Sequence, residues 1–180
     1  MTLYKLTALL ALPLVAACGG GSGSGGGSTI TPPSDIAQVA GDQIDLPDRI
    51  TSVERTEFGM VLNDARTGGL REVRADQRLN TAAQDYTGEI ERSGRRIIDG
   101  DNLHVGTDGR TVGDRVTAAG YDFDWVGENI AQGYTNSEDV VDAWLASKQG
   151  HREVVLSPRA EDFGIGRTET TWVLIMGAEN

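Results

Sequence analysis

A tract made only of glycine and serine, at positions 19–28, divides the chain into two unequal parts. Such a tract has no apolar side chain to bury, so it behaves as a flexible coil. Residues 29–46 add Pro32 and Pro33 but show no helical or strand periodicity. We therefore assign residues 18–46 to a tether and residues 47–180 to one folded domain. About 130 residues are enough for one ordinary domain and leave no room for a second.

The first residues have the pattern of an export signal. Lys5 precedes a mostly apolar run at residues 6–15, which is too short to cross a bilayer as a helix. Val15-Ala16-Ala17-Cys18 then resembles the lipobox of bacterial lipoproteins. This resemblance implies that residues 1–17 are removed and that Cys18 receives a diacylglycerol group. The alternative is an ordinary secretory signal followed by an incidental cysteine.

The resemblance to lipoproteins also implies a location. Several acyl chains on Cys18 hold a protein on a membrane, because each buried methylene contributes roughly 0.8 kcal/mol. Gly19 follows the cysteine, where an aspartate would retain a lipoprotein in the inner membrane. We therefore expect a lipid-anchored protein of the cell envelope, on the outer membrane and facing the periplasm.

The charge and the cysteine count exclude several classes of protein. The formal net charge is -11, from 27 acidic and 16 basic side chains, so the chain lacks the basic surface that binds nucleic acid. Cys18 is the only cysteine. An intramolecular disulfide and a cysteine-based zinc site are therefore impossible.

Four segments of the domain have the signature of amphipathic helices. Thr51 with Glu54 forms a capping-box pattern before the first, and Asp76 can cap the second. The four predicted helices start after Thr51, Asp76 and Thr111 and at Glu138, and they end before Gly68, Gly94 and Gly120 and at Lys148.

The rest of the domain predicts strands. Apolar and β-branched residues flank a polar turn at residues 167–171, which predicts a hairpin at the end of the chain. Residues 126–132 predict a third strand between the last two helices. Helices combined with a small antiparallel sheet predict an α+β sandwich in which helices cover both faces of the sheet.

Three residues stand out as candidates for chemistry. His104 and His151, the only histidines, both lie in loop-like stretches. Glu128 lies between apolar neighbours in the predicted strand. A buried glutamate needs a partner, and an imidazole or a cation would serve.

The chain resembles a bacterial CAP (SCP-like) domain through a series of short motifs in the expected order. In chain order they are Leu62-Asn63-x-x-Arg66, Gly69-Leu70, Ala82-Ala83-Gln84, His104 with Asp108-Gly109, Arg115 with Ala119-Gly120-Tyr121, Gly127-Glu128-Asn129-Ile130-Ala131, Val140-Val141-x-x-Trp144-x-x-Ser147, Gly150-His151-Arg152, Leu156, Gly164-Ile165-Gly166 and Trp172. The resemblance implies a three-layer α-β-α sandwich with a central cleft.

In that family two histidines and two acidic residues line the cleft. His104, Glu128 and His151 match three of them by motif. The fourth does not carry over, because Ser147 stands where many eukaryotic members have glutamate. Residues 153–157 also depart from the usual bacterial pattern, although we still expect them to form a helical turn.

Two interpretations of these three residues remain open. Two imidazoles and a carboxylate are the ligands of an open zinc site, whose free position can hold water or substrate. Without a metal, the same groups form a hydrogen-bonded His-Glu-His network that titrates near neutral pH. We also take Asn129, Trp144 and Ser147 as candidate ligand-binding residues of the same cleft.

Three functions follow from these alternatives. The first, which we favour, is an envelope-associated binding module that holds a small molecule, lipid, glycan or peptide in the cleft, together with a divalent cation such as zinc. The second is a metal-assisted hydrolase acting on peptides or cell-wall material. The third assigns the three residues a purely structural role.

Overall fold

The structure is a computed structural model that describes residues 49–180. The predicted signal peptide, Cys18 and the tether lie outside these residues. The elements are α1 (Ser52–Ala65), β1 (Arg74–Ala75), α2 (Gln77–Ser93), a 3₁₀ turn (Ile97–Asp99), α3 (Val112–Ala118), β2 (Phe123–Gln132), α4 (Ser137–Ala146), α5 (His151–Val155), β3 (Asp162–Thr168) and β4 (Thr171–Glu179).

The helices begin where local capping chemistry predicts. The Thr51 hydroxyl accepts from the Glu54 backbone N–H, and the Glu54 carboxylate accepts from the Thr51 N–H, which completes the capping box of α1. Asp76 caps α2 by accepting from the backbone N–H groups of Arg78 and Leu79. The four predicted helices are therefore confirmed, but α4 ends at Ala146 instead of continuing to Lys148. The helical turn expected over residues 153–157 is present as α5, but it begins and ends two residues earlier, at His151 and Val155.

The sheet has four strands in the order β1-β3-β4-β2. β4 pairs in antiparallel fashion with both β3 and β2, as the predicted hairpin and third strand require. β1 is a difference from the prediction, because this two-residue strand pairs with β3 in parallel and makes the sheet mixed. Its residues are exposed, so they carry no hydrophobic alternation that would reveal a strand.

The alternation of β4 builds a core on each face of the sheet. Trp172, Leu174 and Met176 pack with residues of α1, α4 and α5. Val173 and Ile175 pack with residues of α2 and α3. Successive side chains of a strand point to opposite faces, so the sheet that contains β4 is the central layer between two helical layers. This arrangement confirms the α+β three-layer prediction.

Two glycines allow α2 to lie directly on β3. A Cβ atom at Gly164 would stand 2.1 Å from the Leu79 carbonyl carbon, and one at Gly166 would stand 2.5 Å from that of Ala83. The Asn80 side chain accepts from the Ile165 backbone N–H across the same contact. The close backbone approach expected of glycines in a strand is therefore present.

The helices of residues 49–180 include none that is both long and apolar enough to cross a membrane.

Candidate functional site

The free edge of β2 organises the candidate site. β2 is an edge strand, and Glu128 and Asn129 are consecutive residues in it. Their side chains therefore project to opposite faces of the sheet. Glu128 acts with groups of the α2–α3 layer, whereas Asn129 acts with the α4–α5 layer. Two groups of polar side chains thus lie on opposite faces of the same edge strand.

On the first face, Glu128 holds two partners at once. Its Oε1 lies 2.9 Å from His104 Nδ1, and its Oε2 accepts from Arg115 Nη2 at 2.6 Å. The Glu128 and Arg115 side chains are only 2% and 5% exposed, while the His104 side chain is 52% exposed. The carboxylate paired with arginine only accepts hydrogen bonds, so His104 Nδ1 is the donor. Nε2 is then the nitrogen of the His104 ring that has no hydrogen bond to the part of the chain that the structure describes.

Arg115 is held by more than its ion pair. Its guanidinium carbon lies 3.5 Å from the centre of the Tyr86 ring, and its Nη1 donates to the Arg110 carbonyl at 2.9 Å. The Tyr86 hydroxyl donates to the carbonyl of Leu103, the residue before His104. Burial raises the pKa of Tyr86, which keeps this hydroxyl protonated as a donor.

On the second face, His151 is held at its side chain and at its backbone. Its Nδ1 lies 2.9 Å from Ser147 Oγ, and its carbonyl accepts from Asn129 Nδ2 at 2.9 Å. Ser147 Oγ also accepts from the Gln149 backbone N–H at 3.1 Å, so it closes the turn after α4. Nε2 is again the ring nitrogen left free.

The pKa of His151 is lowered by its surroundings. Burial lowers the pKa of His151 below its ordinary value, and repulsion from His104 lowers it further, while Glu153 opposes the shift. His151 is therefore neutral at pH 7, with a lone pair available on one ring nitrogen.

A cleft of about 670 Å³ opens beside His151. Residues 130–134 form one part of its lining, α4 contributes Ala143 and Trp144, and Ser147 follows at the end of that helix. Trp144 is also fully packed in the core, where its ring lies edge-on to Phe58. The cleft size is within the range of small-molecule sites, about 300–1,000 Å³.

Residues 94–98 form one wall of the cleft and belong to a segment, residues 94–100, which we call the rim segment. It starts and ends at glycines in the left-handed conformation, Gly94 and Gly100. The Gln132 side chain accepts from the Ile97 backbone N–H at 2.9 Å and donates to the Arg95 carbonyl at 3.2 Å. Ile97 and Ile98 are 47% and 78% exposed at this wall. Gln132 thus ties the rim segment to β2, while the Arg95 side chain ties it to the carbonyls of Asn102 and Val105.

The structure divides the residues proposed from sequence into two sets. Trp144, Ser147 and His151 line the cleft. His104, Glu128 and Asn129 lie outside its lining, although the first two form one cluster and Asn129 supports His151. The sequence reasoning missed Gln132 and the rim segment.

The residues fit a cation only in part. Within residues 49–180, the structure contains no group of three or more His, Cys, Asp or Glu side chains that could hold a metal ion. Both oxygens of Glu128 are occupied, one of them by the permanent charge of Arg115. Glu128 therefore does not fit as a ligand. His104 and His151 each keep Nε2 without a hydrogen bond to the described residues, and a carboxylate behind a metal-binding imidazole is a common arrangement.

Comparison with known proteins agrees with this architecture. The model of the CAP family, described as the cysteine-rich secretory protein family, matches residues 55–174. The chain belongs to this family.

The relatives are bacterial. The uncharacterized protein YkwD of Bacillus subtilis is 25% identical over 127 residues, which cover 69% of this chain and 46% of that protein. The chain thus spans less than half the length of this relative.

Two solved structures share the fold. An extracellular protein containing an SCP domain from Bacillus anthracis has a TM-score of 0.62 and 20% identity, over 71% of this chain and 41% of that one. An outer surface protein of Borrelia burgdorferi has a TM-score of 0.62 and 21% identity, over 75% of this chain and all of that one.

Proposed function

We propose that this CAP domain works outside the cytoplasm as a binding module and holds an amphipathic small molecule in the cleft beside His151. The carrying observation is the cleft itself, which combines apolar side chains, among them Ile97, Ile98 and Trp144, with charged and polar ones. Binding sites for small molecules typically have this composition. The relatives described as extracellular or outer-surface proteins support the location.

The lining indicates the chemistry of the ligand. Ile97 and Ile98 on the rim face the same cleft as Trp144 on the core side, so an apolar group would be covered from both sides. Ser147 and His151 offer a hydroxyl and a neutral imidazole to a polar end. A molecule with an apolar body and one hydrogen-bonding end fits these surfaces.

A fluorescent apolar probe tests this proposal. We expect N-phenyl-1-naphthylamine to bind the full chain with saturable fluorescence. Ala143→Phe would fill the cleft from α4 and abolish that signal, because Ala143 belongs to the lining. Ala146→Phe is the matched control, since Ala146 lies on the same helix but is exposed and outside the lining. Equal binding by the two variants would overturn the proposal.

A divalent cation is a second candidate ligand, supported by His104 and His151, whose Nε2 atoms make no hydrogen bond to the described residues. We propose that His104 and His151 hold it and that Glu128 orients His104 without touching the metal. A site with only two protein ligands binds zinc more weakly than a complete four-ligand site. A zinc ion there would supply Lewis-acid chemistry to the cleft.

Calorimetric titration of zinc into the full chain tests the cation. We expect weak binding that is lost in both His104→Ala and His151→Ala. Ser147→Ala is the control, because it removes a partner of His151 but neither imidazole. Binding that survives both histidine changes would place the zinc elsewhere and overturn this part of the proposal.

We further propose that a lipid on Cys18 anchors the domain to the outer membrane, facing the periplasm. The support is the lipobox-like sequence before the only cysteine. Labelling with radioactive palmitate is expected for the natural chain and not for Cys18→Ser, which should leave the membrane fraction. A Cys18→Ser protein that remains in the membrane would contradict the anchor.

A further inference from the structure

Arg115 donates hydrogen bonds to two groups near His104, the Glu128 carboxylate and the Arg110 carbonyl. Its Nη2 donates to the same carboxylate that accepts from His104 Nδ1. Its Nη1 donates to the carbonyl of Arg110, beyond the loop that contains His104. Arg115 is 6% exposed, so both terminal nitrogens of a buried guanidinium take part in these hydrogen bonds.

The loop is fixed at its other end by the ring that stacks on Arg115. The Tyr86 hydroxyl donates to the Leu103 carbonyl, and the Tyr86 ring lies against the guanidinium. The loop from Leu103 to Arg110 is thus fastened on both sides of His104. The imidazole remains half-exposed, whereas its supports are buried.

The charge of Arg115 decides how Glu128 can act. A carboxylate buried without a positive partner is strongly disfavoured, and the fixed guanidinium offsets that cost. Arg115 and His104 lie on different oxygens of Glu128, and an arginine-paired carboxylate only accepts hydrogen bonds, so this arrangement favours the form of His104 that carries its proton on Nδ1.

We propose that Arg115 is a positioning residue that acts through Glu128 to hold His104 with Nδ1 protonated and Nε2 presented as the free nitrogen. The functional role of this arrangement rests on the proposed function, in which His104 binds a cation. The effect of Arg115 on the His104 tautomer does not depend on that function, and it can be tested without any ligand or metal.

Nitrogen-15 NMR of the histidine side chains in the full, metal-free chain provides the test. We expect neutral His104 in the natural chain to show the signature of the Nδ1–H tautomer. In Arg115→Met this signature should be lost in favour of a mixture, whereas His151 should keep its own tautomer, because Ser147 holds that ring. If Arg115→Met does not fold, Arg115→Gln takes its place, since it also removes the charge but keeps polar groups.

Arg66 is a matched control. It is 2% exposed and donates only to backbone carbonyls, those of Val155, Ser157 and Arg71. Arg66→Met should lower stability and leave the His104 tautomer unchanged. An Nε2–H tautomer in the natural chain, or an unchanged His104 signature in a folded charge-removing variant of Arg115, would overturn the proposal. Failure of the zinc or probe experiments would leave this result intact and would count against the proposed function alone.

Discussion

Glu128 and Asn129 are adjacent in β2, yet they support different histidines on opposite faces of the sheet. Glu128 accepts from His104, and Asn129 donates to the His151 backbone. One strand edge therefore sets the placement of both imidazoles. Changes that disturb this edge should affect both, whereas changes within either helical layer should affect one.

The buried ion pair between Arg115 and Glu128 should contribute to the free energy of unfolding. Removing one partner of such a pair leaves an uncompensated charge, so we expect Arg115→Met to cost about 3–5 kcal/mol of unfolding free energy. Denaturation with urea measures it. The exposed pair of Arg71 and Glu161, 74% and 45% exposed, is the control, and Arg71→Met should cost less than about 1 kcal/mol. Equal losses would show that the Arg115 pair is not a special buried contact.

The contact of α2 with β3 should not tolerate a methyl group. A Cβ at Gly166 would stand 2.5 Å from backbone atoms of Ala83 and Gln84, which cannot move independently of α2. We expect Gly166→Ala to cost about 3 kcal/mol or more.

Gly113→Ala is the control for that change. The nearest atom to its Cβ would be in the ring of Phe123, at 3.1 Å, and the position lies within a helix. Stability should change by less than about 1 kcal/mol, because alanine favours helix. Thermal unfolding of both variants is the measurement. A Gly166→Ala protein as stable as Gly113→Ala would contradict the close packing.

Asp76 should make stability depend on pH in the acid range. The hydrogen bond from the Arg78 side chain, helped by the backbone N–H groups it caps, lowers the pKa of Asp76, while burial opposes the shift. A lowered pKa in the folded state means that the stabilisation is present above the pH at which the unfolded side chain titrates, about 4. It is lost as the pH falls through the lower folded value.

The comparison with Asp76→Ala isolates this contribution. We expect the variant to be about 1 kcal/mol less stable at pH 7, as for other lost caps, and the difference to shrink steadily below pH 4. Urea unfolding at a series of pH values measures it, and contributions from other carboxylates cancel between the two proteins. A difference that is the same at every pH would rule out this role for the charge.

Gln132 should control the opening of the rim segment. Gln132→Ala removes the acceptor of the Ile97 N–H, so hydrogen exchange at that amide should accelerate, while amides of α4 stay as they were. Gln149→Ala is the control, because its side chain lines the cleft without a hydrogen bond to the described chain. Unchanged exchange at Ile97 in Gln132→Ala would mean that other contacts hold the rim.

Local chemistry made much of this fold predictable. Thr51 and Asp76 mark helix starts because their side chains satisfy nearby backbone groups, so the signal lies within a few residues. The hairpin is equally local. β1 could not be predicted, since Arg74 pairs with Asp162, far along the chain, and depends on the finished sheet.

The sequence predicted the residues of the site better than the hydrogen bonds between them. The expectation that buried Glu128 needs an imidazole or a cation was right about the chemistry, and the structure supplies both as His104 and Arg115. Arg115 belonged to a matching motif, but its burial arises from how α3 packs on β2. The role of Gln132 depends in the same way on where the rim segment lies.

The most direct test of the proposed binding cleft is a map of backbone amide shifts in the labelled full chain during titration with N-phenyl-1-naphthylamine. The proposal predicts shifts confined to the cleft lining, at residues 91, 94–98, 130–134, 143, 144, 147, 149, 151 and 169–171, and their absence in Ala143→Phe. Shifts centred elsewhere in the domain, or shifts that persist in Ala143→Phe, would contradict it.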